Sequence, residues 1–243
     1  MEVIVRPTAE AAAAYVHDLI VAQLRERPAT VLGLPTGATP LPVYARLVES
    51  QRAGLASWRF ATTFNLDEYY GLGADDPASY SAYMRRCLFD HVDCPAPQRH
   101  IPNGLAADAA AEAAEYEAAI AAAGGIDFML LGLGRNGHIG FNESGSDFSS
   151  RTRLVDLSPS TLDANRAFFT ARQSPPAQAI SMGIRTILDA RRIAVLATGA
   201  SKANAVRRSL AKPATTTVPG SALHLAQDVT FVLDHESAGE LAS

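Results

Sequence analysis

The 243-residue chain is poor in cysteine, having only Cys87 and Cys94. They lie seven apart beside Pro95, neither a CxxC redox pair nor a zinc-knuckle spacing, so they read as free, reduced thiols. Positive charge is also short. With 21 Lys and Arg against 25 Asp and Glu the net charge is −4, and no basic tract could follow a phosphate backbone, which argues against a nucleic-acid partner. Long apolar runs are missing too: even FMLLGL, starting at Phe128, falls far short of the ~20 residues of a bilayer span. Glu2, Arg6, Glu10 and Asp18 interrupt the apolar N-terminal stretch, unlike a signal peptide. A cytoplasmic protein with no membrane partner is expected. Metal ligation is not indicated either, since HxxxH, HExxH and clustered carboxylate spacings are lacking.

What is present is core material: 48% of residues are hydrophobic and 19% charged, enough to fold unaided as one domain over 1–243. Apolar β-rich runs alternate with alanine-rich stretches of helical length. This predicts an α/β fold, a Rossmann-like open and mostly parallel sheet with helices on both faces. Strands are expected over 30–34, 61–66, 127–132, 152–157, 192–198 and 229–234, several of them apolar on both faces as central strands are. Helices are expected over 9–25, 40–52, 79–89, 107–123 and 201–211. Thr8 suits the N-cap of the first, and Gly124-Gly125 the end of the fourth.

Four loops carry candidate chemistry. Gly33 to Pro40 (GLPTGATP) joins a strand to a helix N-terminus, an anion-binding architecture that could equally be a tight βα turn. Thr198-Gly199-Ala200-Ser201-Lys202 also ends a strand. There Lys202 opposes the dipole of the helix it starts, a mild penalty that favours a functional cation over a solvated one. Gly132 to Gly137 matches GxGxxG with Asp156 about 20 residues on, as in a dinucleotide fold. The glycines continuing through His138-Ile139-Gly140-Phe141-Asn142-Glu143-Ser144-Gly145 deny it the packed helix that such a fold requires. The loop instead presents Asn136, His138 and Glu143, an imidazole and a carboxylate able to act as acid and base, though a glycine-loop histidine can also be a structural hydrogen bonder. Finally, Asn65-Leu66-Asp67-Glu68-Tyr69 ends a strand with adjacent carboxylates that point to opposite sides of an extended backbone. One of them can enter a cleft, unless Asp67 merely caps a turn.

In this order, GLPTGATP, FNLDEYYGL, LLGLGRNGHIGFNE and TGASKA closely resemble the glucosamine-6-phosphate deaminase family, over Val31 to about Lys202. The looser pattern is shared with 6-phosphogluconolactonases, whereas NLDEY and GHIGFNE point to the deaminase branch. The resemblance implies an enzyme without cofactor or metal that takes a phosphosugar, glucosamine 6-phosphate, to fructose 6-phosphate and ammonia. By the same resemblance His138 opens the sugar ring with Glu143 and Asn136, Asp67 moves a proton between C2 and C1, and Thr36, Gly37, Ala38, Thr39 and Lys202 hold the phosphate.

Three departures stand out. Position 136 is Asn where some relatives have Asp, which keeps a hydrogen bond and drops a charge. The family's phosphate arginine appears shifted by one, in Asn165-Arg166-Ala167-Phe168-Phe169, a rotation of ~100° on a helix, so Lys202 is expected to carry more of that role than Arg166. Ser144 replaces the usual proline. At the positions of an effector site found in allosteric relatives stand Ser146 and Arg153, but Val155 replaces the lysine and the chain stops at Ser243, so hyperbolic kinetics and a monomer or small homo-oligomer are expected. The competing functions are a lactonase of the same fold, which needs the histidine but no C2 base, and a non-catalytic phosphosugar-sensing module, which needs the anion loops alone.

Overall fold

The computed structural model describes residues 1–166, 169 and 174–241. After β1 (Glu2–Arg6) the chain enters α1 (Ala9–Glu26), where the Thr8 hydroxyl accepts the Ala11 N–H at 3.2 Å, the N-cap that the sequence suggests. Then follow β2 (Val31–Leu34), α2 (Leu41–Arg52), β3 (Thr62–Asn65), β4 (Asp67–Tyr69), α3 (Tyr80–Cys87), β5 (Arg99–His100) and α4 (Ala109–Ala122). Gly124 and Gly125, both at positive φ, end α4 as expected. The second half comprises β6 (Phe128–Gly132), β7 (Arg153–Asp156), α5 (Pro159–Asn165), β8 (Gln178–Ser181), α6 (Ile184–Leu188), β9 (Arg192–Ala197), α7 (Ala203–Leu210) and β10 (Val229–Asp234).

Seven strands form one parallel sheet in the order β1-β10-β9-β6-β2-β3-β5. Successive side chains on a strand face opposite ways, and the sheet therefore feeds two cores. Leu32, Leu34, Phe128, Leu130, Leu196 and Val232 pack with α1 and α2 on one face. Val31, Met129, Leu131, Val195, Phe231 and Leu233 pack with α4, α6 and α7 on the other. Burial on both faces is what makes these strands read as unbroken apolar runs.

From β2 the chain steps one way along the sheet, to β3 and β5; from β6 it steps the other way, to β9 and β10. The carboxyl ends of β2 and β6 therefore flank a topological switch point, where open α/β sheets leave a crevice for ligands.

One expected strand lies elsewhere: β7, within 152–157, joins β4 and β8 in a three-stranded antiparallel sheet. Periodicity identifies a strand but not its partners. Gly132 to Gly137 opens no helix, since 133–150 run as turns and bends, in keeping with the rejection of the dinucleotide reading. Cys87 and Cys94 are free thiols. Among the described residues no helix is long and apolar enough to cross a membrane.

Candidate active site

Asp67 is displaced from the end of β3 into a strand of its own. Met182 N–H donates to Leu66 O at 2.7 Å, and β4 then pairs with β8, placing Asp67 opposite Ser181. The two neighbouring carboxylates part company as extended backbone requires. Glu68 accepts the N–H groups of Tyr80 (2.9 Å), Ser81 (2.8 Å) and Tyr69 (2.8 Å), and so closes the N-terminus of α3. Asp67 is 6% exposed, and no described residue donates a hydrogen bond to its carboxylate. Burial, with the Glu68 charge adding to it, pushes its carboxyl up to about 8.

The loop after β6 comes close to Asp67 at Gly140. A Cβ there would lie 3.3 Å from Ser181 Oγ and 3.7 Å from Asp67 Oδ2, and the residue has φ +55°. Buried Asn142 fixes this stretch by donating to Ile139 O (2.9 Å) and Met182 O (2.8 Å) while accepting from Arg153 Nη1 (2.9 Å).

Upstream in the same loop, Asn136 joins the other two candidates. Its Nδ2 donates to Glu143 Oε2 at 2.8 Å, and its Oδ1 accepts the His138 N–H at 3.1 Å. An amide can do both; an aspartate here would set a second anion against Glu143. Glu143 Oε1 accepts from the hydroxyls of Ser158, at 3.1 Å, and Thr161. Burial pushes the Glu143 carboxyl up, but these donors and the His138 ring outweigh it and hold it at about 2. His138 Nδ1 stands 3.6 Å from Glu143 Oε2, buried and without a hydrogen-bond partner. An ionised Glu143 facing Nδ1 suits the tautomer protonated there, in which Nε2 is the acceptor. The imidazole lies flat on Gly134, where a Cβ would fall 2.4 to 2.5 Å from three ring atoms.

The third element is cationic. Lys202 Nζ donates to Leu133 O at 2.5 Å, bringing the loop after β9 against the loop after β6. Its ammonium is held below the usual range by burial and by the charge of Arg135. Arg135 escaped the sequence reading, although it sits inside the GLGRNGH run. Two like charges gathered at one edge attract an anion. Across the crevice, Tyr44 Oη donates to Pro35 O (2.5 Å) and Tyr83 Oη to Gly37 O (2.6 Å), fixing the 36–39 loop, while Gly37 takes φ +98°. Among the described residues no side-chain cap closes the α2 N-terminus, at Pro40, that follows Thr36, Gly37, Ala38 and Thr39. Arg166 forms the exposed C-cap of α5; Ala167 and Phe168, cited with it in the sequence comparison, lie outside the described residues. Among the described residues no group of three or more His, Cys, Asp or Glu could hold a metal ion.

The model of the glucosamine-6-phosphate isomerase/6-phosphogluconolactonase family matches residues 6–232. A glucosamine-6-phosphate deaminase of Rhodopirellula baltica is 51% identical over 99% of this chain and 96% of its own length. One of Shewanella loihica is 45% identical over 100% and 90%. The solved structure of a monomeric glucosamine-6-phosphate deaminase superposes with a TM-score of 0.96 at 43% identity, covering 99% of this chain and 100% of that one. The 6-phosphogluconolactonase of Trypanosoma brucei stands further off, with a TM-score of 0.79 at 25% identity over 99% and 98%.

Proposed function

Since the chain belongs to the glucosamine-6-phosphate isomerase/6-phosphogluconolactonase family, we propose how its own residues divide the work of the reaction. The protein is an enzyme of the deaminase branch. It isomerises glucosamine 6-phosphate and, with water replacing the amino group, releases ammonia and gives fructose 6-phosphate.

His138, its Nδ1 proton directed at Glu143, accepts the O1 proton through Nε2 and delivers it to O5 as the C1–O5 bond breaks and the ring opens. Asn136 holds Glu143 and the His138 backbone in one arrangement. Asp67 then takes the C2 proton and returns it to C1. A carboxyl raised by burial is a stronger base once ionised, and the substrate's ammonium group favours that ionised form as it enters. The phosphate rests between the 36–39 loop and Lys202, with Arg135 adding charge. Arg166, at the far end of α5, is secondary.

The observation that carries this division is Asp67: a buried carboxyl, without a donor among the described residues, beside the loop that holds the imidazole. A lactonase has no need of such a base, and a sensing module has no need of the group at all. The chain is read as one domain acting as a monomer or small homo-oligomer, and the monomeric relative favours the former. The deciding experiment supplies glucosamine 6-phosphate, its galacto epimer and 6-phosphogluconolactone separately and measures ammonia and fructose 6-phosphate. Release of both from the gluco sugar supports the reading; lactone hydrolysis without ammonia release from either amino sugar overturns it.

A further inference from the structure

The turn that carries Lys202 is held from outside the site. Gly199 opens it at φ +88°, and its N–H donates to both carboxylate oxygens of Asp234, at 3.0 Å each. Gly199 O in turn accepts the Lys202 N–H at 3.0 Å, so a continuous hydrogen-bond path through Gly199 links the Asp234 carboxylate to the Lys202 backbone. Asp234 is 4% exposed at the end of β10, beside β9. The Ser237 N–H fixes it by donating to Oδ1 at 2.8 Å, and Ser237 Oγ donates to Ala197 O at 2.8 Å. The next amide, Ala200 N–H, donates to Glu236 Oε2 at 3.3 Å.

Two consequences follow from this clasp. Amides at a strand-to-helix turn commonly face a bound phosphate, but here the first two are taken by the chain's own carboxylates. The turn therefore meets an anion through the Lys202 side chain. The direction of that side chain, now toward Leu133 O, depends on where the turn sits relative to β9 and β10, and Asp234 sets this.

We propose that Asp234 is a positioning residue for phosphate binding: it locks the Gly199–Lys202 turn so that the ammonium meets the substrate's phosphate. The proposal rests on the reading of Lys202 as a phosphate ligand. A group that acts only on a remote phosphate changes ground-state and transition-state binding alike, hence KM rather than kcat.

The test uses the full chain and measures kcat, KM for glucosamine 6-phosphate and competitive inhibition by inorganic phosphate. Asp234→Asn puts an amide N–H against the Gly199 N–H; KM and the phosphate inhibition constant should rise together by roughly tenfold, with kcat within about twofold. Lys202→Ala should raise both further, and Arg166→Ala less than either. An unchanged KM in Lys202→Ala overturns the phosphate reading itself. A raised KM there with unchanged KM and phosphate inhibition in Asp234→Asn overturns only the positioning role, as does a fall in kcat at constant KM. If Asp234→Asn does not fold, Asp234→Glu, which keeps the charge but moves the carboxylate by one carbon, carries the test, with a rise in KM and in the phosphate inhibition constant of about two- to threefold expected and no rise overturning the proposal.

Discussion

Two aspartates, Asp127 just before β6 and Asp67 two residues past the end of β3, flank opposite ends of the seven-stranded sheet, are buried to nearly the same degree and live in opposite surroundings. Asp127, at the amino end of β6, is 4% exposed. Its Oδ1 meets Arg27 Nη1 at 2.8 Å and Arg191 Nη1 at 2.7 Å, while Oδ2 accepts from Val31 N–H at 2.9 Å and the Thr30 hydroxyl at 3.3 Å. It thereby ties the end of α1 to β2 and to the start of β9. Asp67, at the carboxyl end, has no such donors. Burial alone therefore does not separate a structural carboxylate from the one we propose as the base; the donors do. Buried polar groups are normally satisfied, and two buried atoms without a hydrogen-bond partner, Asn65 Oδ1 and His138 Nδ1, lie at this carboxyl end.

The sharpest way to break this contrast is Asp67→Asn. The amide keeps the shape and cannot take the C2 proton, so kcat should fall by ~10²–10⁴ with little change in KM. Exchange of the C2 proton with deuterated water should vanish with it. The folded carboxyl is raised above its unfolded value, so between about pH 4 and 8 the native state holds the extra proton and wild-type stability falls as pH rises. Urea melts should accordingly show the Asn variant gaining on wild type as pH increases from 5 to 8. In the free wild-type enzyme kcat/KM should decline below about pH 8. A variant with near wild-type ammonia release would remove Asp67 from the mechanism.

Gly134→Ala comes next. The new methyl would overlap three atoms of the imidazole, which is free to swing outward because the His138 side chain is 26% exposed. The fold should survive. Misplacing a catalytic group by about 1 Å can cost ~10²-fold, so a fall in kcat of that order is expected with a melting temperature close to wild type. Unchanged turnover would show that His138 works from another rotamer.

Asp127→Ala should do the reverse, leaving kcat intact and lowering stability. Breaking a fully buried pair typically costs ~3–5 kcal/mol. Here both guanidinium groups are about half exposed and regain water, so about 2–3 kcal/mol is expected from urea denaturation. A loss of turnover in still-folded protein would blur the division between the two ends.

Much of this was legible before the fold was known, because β2, β6, β9 and β10 are buried on both faces and β2, β3, β6 and β9 each deliver a motif to one edge. Other elements left weak traces. Edge strand β1 shows solvent on most of its length, and β4 and β5 have three and two residues, too short for periodicity to register. The site was legible as residue types on loops, including the split between Asp67 and Glu68. What distance in sequence concealed were the pairings: Arg135 beside Lys202, Thr161 on Glu143, and Asp234 on Gly199, 35 residues away. None follows from a local rule, since each depends on which loops the sheet order brings together.

The smallest effect sharpens the contrast within the site itself, for Glu143 is as rich in donors as Asp67 is poor. Thr161→Val removes one of the hydroxyls on Oε1 and leaves Ser158 and Asn136 in place. The Glu143 carboxyl should then rise from about 2 by roughly one pH unit, about 1.4 kcal/mol. It would still be ionised at neutral pH, so kcat should change by less than about threefold. The cost falls on stability, with a sign opposite to that of Asp67. A depressed carboxyl stabilises the fold above its unfolded value, near 4.5, and that contribution is lost as pH falls toward 2. Urea melts should therefore show Thr161→Val weaker than wild type by about 1 kcal/mol at pH 7, with the gap narrowing from about pH 4 to pH 2, through the two folded values. A gap of constant size across that range would mean that Thr161 acts through packing, and that Asn136 and Ser158 alone keep Glu143 charged.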